Sequence, residues 1–296
     1  MLPKEGQKIE GVLNSLDSLS VHIQADGSIV GKPNPSKGAV RLEIPHDNPQ
    51  DIYLREGFEA LGQELVEPLA IPLGVDTERQ HHALTLPNER HALIAGATGS
   101  GKSNFLSTVI CSLVATHTPD EVSLSLLDPK GVDFGRFAPV PHVQTYEDTP
   151  NACAQRILQL VNERLPERKE VLRSAGVPSV AELNENAELL DEDPLPYHVV
   201  VVDEYADLKM SVEDEDAFED AVTRLAQVGR ALGFIILLAT QRPSADIVSG
   251  KIKANFPCRI SFRLPSNTDS RVILDQPGAE DLEGAGDMIT KTQAGD

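Results

Sequence analysis

Residues 96–103 read Gly96-Ala97-Thr98-Gly99-Ser100-Gly101-Lys102-Ser103, followed by Asn104. This G-x-x-x-x-G-K-S spacing suits one task, holding the phosphates of a nucleotide. Glycines let the backbone curl so that successive N–H groups point into an anion-sized nest, at the positive end of the following helix. Lys102 can reach the β- and γ-phosphates, and the Ser103 hydroxyl can hold Mg²⁺. The bland alternative is a Gly-rich turn before a helix. The apolar run 91–95 upstream and the helix-like segment 104–115 downstream favour the phosphate loop, because the spacing carries meaning between a strand and a helix.

Three further groups complete a candidate site. Asp203 ends the apolar run 198–202, where a carboxylate can hold Mg²⁺ through its water shell. Glu204 follows directly and can orient and deprotonate an attacking water, which points to hydrolysis. Thr240 and Gln241 end another apolar run and can sense the γ-phosphate and position water. Arg230 lies off the apolar stripe of its helix, so it faces outward, where it could serve a neighbouring subunit's nucleotide. Arg224 also lies off the stripe and competes for the same role.

The elements needed to position these groups follow from hydrophobic periodicity. "EVSLSLLDPKG" reads as a strand ending at Asp128, "HVVVVDEYADL" as a strand buried on both faces, and "FIILLATQRP" and "CRISFRL" as two more. Between them, "ACAQRILQLVNERLPERKEVLRSAG" reads as a long helix kinked at Pro166. Residues 218–232 form a helix with a stripe through Phe218, Ala221, Val222, Leu225, Gly229 and Leu232. Such alternation predicts an α/β fold with a mostly parallel, doubly wound sheet and ligands at the strands' carboxyl ends. Residues 1–80 differ, with short alternating stretches "SVHIQA" and "GAVRLEIP" among turn signals such as Asp26-Gly27 and Pro33-Asn34-Pro35. They predict a small mixed domain ahead of a larger one over 81–296, with "DIYLREGFEALGQEL" as a helix.

The formal charge of −20 on 296 residues argues at first against a nucleic-acid partner. Its distribution weakens that objection, since residues 181–220 carry 15 acids and one base, Lys209. In contrast, "GKIKANFPCRISFR" carries Lys251, Lys253, Arg259 and Arg263 without an acid, and a global acidic balance leaves room for a local basic surface. Cys111, Cys153 and Cys258 are too scattered for a zinc site or a disulfide framework, which suggests reduced cytoplasmic thiols. No apolar run approaches the length of a membrane span.

The segments "GATGSGKSN", "LLDPKGVDF", "VVVVDEYADL", "RLAQVGRALGF", "LATQRPSADIVSGKIKANFPCRISFRL" and "DSRVILDQPGAEDLEGAGDM" together resemble the FtsK/SpoIIIE family of double-stranded DNA translocases. The resemblance runs from about residue 88 to 289, and "SIVGKPNPSKGAVRLEIPHDNPQDIYLRE" is similar to the small α-domain that precedes the motor. It implies a RecA-like P-loop ATPase core behind a small α+β domain, working with ATP and Mg²⁺. It also implies a homo-oligomer, a hexameric ring with ATP at the subunit interfaces and duplex DNA in the channel. The resemblance selects Arg230 over Arg224 as the trans-acting finger and places Arg242, Lys253 and Arg271 on the channel. A further family lysine position is Asn267 here, and Lys251 adds a charge that the usual pattern lacks. Longer relatives continue past the counterpart of "GDMITKTQAGD" into a winged-helix domain, and a membrane tether is expected only in a segment outside this chain. A related ring ATPase that drives protein secretion, or conjugative or defence-associated DNA handling, is the competing expectation, and a non-hydrolysing nucleotide-binding scaffold is a third.

Overall fold

The structure is a computed structural model that describes residue 11 and residues 15–23, 29–34, 39–44, 50–190 and 193–292. The chain divides into two compact units, Met1–Ala60 with Gly74–His82, and Leu61–Leu73 with Ala83–Asp296.

The smaller unit holds strands β1 (Val30–Asn34) and β2 (Ala39–Glu43), paired antiparallel, with Val40 buried. The alternating stretch "SVHIQA" does not form a strand. Its described part closes a helix, Leu16–Ile23. Leu16 and Leu19, three residues apart, are half-buried while Val21 is exposed, so the helical period prevails over the alternation. The turn expected at Asp26-Gly27 lies outside the described residues, as does Pro35. The helix expected over 51–65 covers Leu54–Leu61 and continues as a 3-10 turn, Gly62–Val66.

The larger unit is built on a seven-stranded sheet. Its strands are β5 (Ala92–Ala95), β6 (Val122–Leu127), β7 (Val143–Glu147), β8 (Tyr197–Val202), β9 (Phe234–Thr240), β10 (Cys258–Phe262) and β11 (Met288–Lys291). They lie in the order β11-β10-β5-β9-β8-β6-β7. All neighbours run parallel except β11, which pairs antiparallel with β10 at the edge. Strands β7 and β11 were not foreseen from the sequence.

Successive side chains of a strand point to opposite faces, and both faces of this sheet are buried. Leu93, Val200, Val202, Phe234, Ile236 and Leu238 enter one core with the helices Pro150–Gln159, Leu165–Ala175, Val180–Leu190 and Glu215–Gly229. Ile94, Leu124, Leu126, Val199, Val201 and Leu237 enter the other, against the helix Lys102–Thr116. Leu69, Ile71, Leu84 and Leu86 join this second core. They flank or belong to β3 (Ala70–Val75) and β4 (His81–Thr85), which pair as a small sheet of their own. Each Val, Leu or Ile so enclosed contributes about 1.5–3 kcal/mol over an exposed position. This double cover explains the near-continuous apolar strands. The architecture is the expected α/β class, a P-loop sheet wound on both faces.

Where a kink is expected at Pro166, the structure shows a change of helix type. Proline lacks an N–H and its ring crowds the carbonyl four residues back, and here the wider π turn Leu160–Arg164 precedes it before the helix resumes at Leu165.

Candidate functional site

The carboxyl ends of β5, β9 and β8 lie side by side, and each delivers one part of the site. The phosphate loop leaves β5 and is fastened to both neighbours, with the Gly96 N–H on the Thr240 carbonyl of β9 (3.3 Å) and the Ala97 N–H on the Arg263 carbonyl after β10 (2.9 Å). Gly101 has φ +109, a conformation that strains any other residue, and enters the helix Lys102–Thr116. The N–H groups of Gly101, Lys102, Ser103 and Asn104 find no acceptor among the described residues, whereas Phe105 N–H closes the first helical bond onto Gly101. Unmatched amides at a helix start are the basis of anion binding. Asn104 is exposed, Ser100 is buried, and Thr98 and Gly99 lie on the open rim.

Lys102 is buried and reaches across the end of β9. Its Nζ donates to the Asp203 carbonyl (2.6 Å) and pairs with Asp203 Oδ1 (2.7 Å). The other carboxylate oxygen, Asp203 Oδ2, is buried without a partner. Beside it, Glu204 is held on three sides. Thr240 Oγ1 donates to Oε1 at 2.6 Å, the Gln241 N–H to Oε2 at 2.9 Å, and Lys130 Nζ lies 3.8 Å from Oε2. The Gln241 side chain turns the other way and accepts from Thr98 Oγ1 at 3.0 Å. Gln241 therefore links the phosphate loop to the carboxylate that the sequence assigns to water activation.

Strand order explains the convergence. The strand of Asp203 and Glu204 does not adjoin the strand of the phosphate loop, because β9 lies between them. Thr240 and Gln241 occupy that gap, within reach of both.

Two groups were missed by sequence reasoning. Asp133 Oδ2 accepts from Ser103 Oγ at 2.9 Å, and Asp128, at the end of β6, accepts from the N–H groups of Asp133 and Phe134 through Oδ2 (2.8 and 3.0 Å). The signal was present in "LLDPKGVDF", an acid at a strand's carboxyl end followed by a second acid five residues on. Lys130 in the same loop supplies the cation nearest Glu204.

The donor set suits Mg²⁺, which takes oxygen ligands and keeps several waters. The Ser103 hydroxyl and the unpartnered Asp203 Oδ2 are the atoms that fit. Among the described residues no group of three or more His, Cys, Asp or Glu is arranged to hold a metal by itself, so a divalent ion here needs the phosphates as well.

Arg230 lies far from this edge. It is exposed just past the helix Glu215–Gly229, and Gly233 N–H caps its carbonyl immediately before β9 begins. The seven residues of β9 separate that start from Gln241 by roughly 20 Å. Neither the Arg230 nor the Arg224 side chain makes a hydrogen bond or ion pair with a described residue.

The candidate DNA contacts cluster beyond β9. Arg242 is exposed, with Nη1 3.5 Å from the Met210 sulfur. Lys251 and Lys253 ride on the helix Gly250–Asn255, and Arg271 on the helix Asn267–Leu274, where its Nε donates to Asn267 Oδ1 at 2.7 Å. The acid-free sequence window around these lysines does not remain acid-free in space. Lys251 pairs with Asp220 (2.9 Å), while Lys253 (2.5 Å) and Arg259 both pair with Asp275.

Comparison with known proteins closes the identification. The sequence profile described as the FtsK/SpoIIIE family matches residues 60–245. The chain belongs to the FtsK/SpoIIIE family. It is 39% identical over 288 residues to "DNA translocase FtsK" of Helicobacter pylori (strain J99 / ATCC 700824), covering 97% of this chain and 34% of that protein. It is 37% identical over 295 residues to the Streptococcus pneumoniae (strain ATCC BAA-255 / R6) protein of the same name, covering 98% and 38%. The chain thus spans about a third of the length of these relatives. Among solved structures it resembles the pCW3 conjugation coupling protein TcpA, monomer form with ATPγS, at TM-score 0.70 and 26% identity, over 97% of this chain and 80% of that one. It also resembles the cytoplasmic domain of the Thermomonospora curvata Type VII secretion ATPase EccC, at TM-score 0.67 and 28% identity, over 73% and 26%. Membership in this P-loop ATPase family implies nucleotide binding. No helix among the described residues is long and apolar enough to cross a membrane.

The remaining titratable groups are structural. His91, buried at the foot of β5, is pushed down to about 4 by burial, and His198, enclosed by Ser123 and Ser125, to about 3. Burial pushes the Cys153 and Cys258 thiols up to about 12, which leaves them unreactive at neutral pH.

Proposed function

We propose that this chain hydrolyses ATP with Mg²⁺ and uses the energy to move double-stranded DNA through the channel of a homo-oligomeric ring, with six subunits as in the family pattern. The observation that carries the reading is Glu204, buried and oriented by Thr240 and Gln241, next to a Lys102–Asp203 pair and beneath a row of unmatched amide groups. A protein that only bound nucleotide would have no need of an oriented base beside the phosphate loop.

In this reading the phosphate loop 96–103 and Asn104 receive the triphosphate, and Lys102 turns from Asp203 to the β- and γ-phosphates. Ser103 and Asp203 hold Mg²⁺, which shields the phosphate charge when bound. Glu204 takes the proton of the attacking water, and Gln241 aligns that water. Arg230 serves the nucleotide of a neighbouring subunit, because its own phosphate loop lies at the opposite end of the strands. Arg242, Lys251, Lys253 and Arg271 face the DNA backbone. The relatives named as DNA translocases support this cargo.

A second reading, a protein-handling ring ATPase, draws support from the likeness to the secretion ATPase and from the acids that already occupy Lys251 and Lys253. Steady-state ATP hydrolysis with and without linear duplex DNA separates the readings. DNA-stimulated turnover is expected. Turnover indifferent to duplex DNA would favour the protein-handling ring, and no turnover at all would leave a nucleotide-binding scaffold.

A further inference from the structure

The turn 283–287 precedes the edge strand β11 and rests on the phosphate loop. Three successive residues there have left-handed backbones: Gly284 (φ +91), Ala285 (φ +52) and Gly286 (φ +106). For alanine that conformation is unfavourable, so the surroundings must impose it. They do so through the Glu283 N–H on Asp287 Oδ2 and the Asp287 N–H on the Gly284 carbonyl, both 3.0 Å, with Arg263 reaching the Glu283 carbonyl at 3.4 Å. Such an enforced turn on the protein surface calls for a reason.

The reason lies in its contact. The Gly286 N–H donates to the Ser100 carbonyl at 2.9 Å. A Cβ on Gly101 would meet the Gly286 nitrogen at 2.6 Å and its Cα at 2.7 Å, so the two backbones touch. The Ser100 carbonyl and the Gly101 N–H belong to one planar trans peptide and point in opposite directions. Fixing the oxygen on the turn therefore aims the Gly101 N–H away from the turn. That N–H has no acceptor among the described residues.

We propose that the 284–286 turn is a working part of the nucleotide site, with Gly286 as a positioning residue that orients the Gly101 N–H toward a bound phosphate. The inference rests on the reading of 96–103 as an ATP site. It adds that the cradle is set by a segment some 180 residues downstream, which makes nucleotide affinity depend on the edge strand's connection. Without this anchor the 100–101 peptide could rotate and present its carbonyl oxygen to the phosphate, replacing an attraction with a repulsion.

The test substitutes Gly286→Ala in the full chain. Alanine strains at φ +106, so the backbone should turn away from Ser100. Binding of fluorescent ATP and ADP analogues should weaken about tenfold or more, the loss of one hydrogen bond to a charged group. The kcat at saturating ATP should stay close to wild type, because Glu204 and Gln241 are untouched, and so should the melting temperature without nucleotide. Unchanged affinity, or a fall in kcat at unchanged affinity, would overturn the proposal. If the variant fails to fold, hydrogen exchange in wild-type protein decides. Amides of 284–287 should exchange more slowly with ATPγS bound, and no change would refute the role. Wild-type protein that bound no adenine nucleotide would defeat the ATP reading itself, whereas wild-type binding matched by Gly286→Ala would defeat only this inference.

Discussion

The Thr240 hydroxyl donates to Glu204 Oε1 at 2.6 Å, from the end of the strand that separates the carboxylate from the phosphate loop. With the Gln241 N–H on the other oxygen, both carboxylate oxygens are fixed before any substrate arrives. Glu204→Gln keeps the shape and removes the base. ATP binding should persist while kcat falls by roughly 10²–10⁴. Thr240→Val removes one restraint and should lower kcat about tenfold, the effect of one hydrogen bond to a charged group. Rapid-quench hydrolysis alongside nucleotide titration measures both, and near-normal turnover of Glu204→Gln would reassign the base.

Lys102→Ala should harm the protein even without nucleotide. The substitution strands Asp203, fully buried, without the Nζ–Oδ1 ion pair and without the bond to its carbonyl. Breaking a buried pair costs about 3–5 kcal/mol, so urea unfolding of the nucleotide-free variant should shift visibly downward, along with weaker ATP binding. A stability equal to wild type would show that the pair is not formed in solution.

Arg230 can be tested by mixing subunits. Arg230→Ala should bind ATP and hydrolyse it poorly, since trans-acting arginines supply about 10³–10⁵ in rate. Rings assembled from Arg230→Ala and Glu204→Gln subunits contain some interfaces with an intact Glu204 facing an intact Arg230, and these should recover measurable hydrolysis. Full activity of Arg230→Ala alone would rule the assignment out.

The acids beside Lys251 and Lys253, the lysines proposed to face DNA, set a two-way expectation. Changing Lys251 and Lys253 together to Ala should weaken duplex binding across sequences and flatten its salt dependence by roughly one unit per lost phosphate contact. Asp220→Asn should do the reverse, because Lys251 is then free to meet phosphate. Filter binding over a salt series reads both slopes, and identical slopes in all three proteins would remove this surface from the channel.

The buried histidines predict an acid-sensitive fold. His91 donates from Nε2 to the Ala226 carbonyl and accepts the Ile236 N–H on Nδ1, which requires the neutral ring. In the unfolded chain both histidines take up protons near pH 6.5, whereas in the folded chain His91 does so only at about 4 and His198 at about 3. The unfolded state thus binds more protons between these values, and stability falls as pH drops below about 6.5. Urea midpoints at pH 7.5 and 5 should show the loss, and His198→Asn should reduce it.

The residues whose chemistry depends on local spacing were legible in the sequence. The phosphate loop, Asp203 and Glu204 each sit where a strand stops, and apolar runs locate such ends well. What depended on strand order was not legible. That β9 separates β5 from β8 places Thr240 on Glu204, and no single segment encodes that adjacency. Asp133 carried a local signal in "LLDPKGVDF", but its partner Ser103 lies in a distant segment, at the start of the helix Lys102–Thr116. The window around Lys251 is acid-free in sequence but not in space, because counting charges along the chain overlooks Asp220 on the helix Glu215–Gly229 and Asp275 just past the helix Asn267–Leu274. In "SVHIQA" a short alternation was outweighed by leucines at helical spacing just upstream.

Lys102 and Asp203 give the site an internal counter-ion. The ammonium group neutralises the carboxylate through Oδ1 and leaves Oδ2 unpartnered, so in the proposed reading loading the site would exchange one cation for another. A nucleotide arriving without Mg²⁺ could claim Lys102 only by leaving Asp203 uncompensated in a dry pocket. Metal and nucleotide should therefore enter as a unit, and each should bind far more weakly alone than with the other. In the same reading Lys102 would compete with the metal for Asp203, so the linkage would hold for release as well.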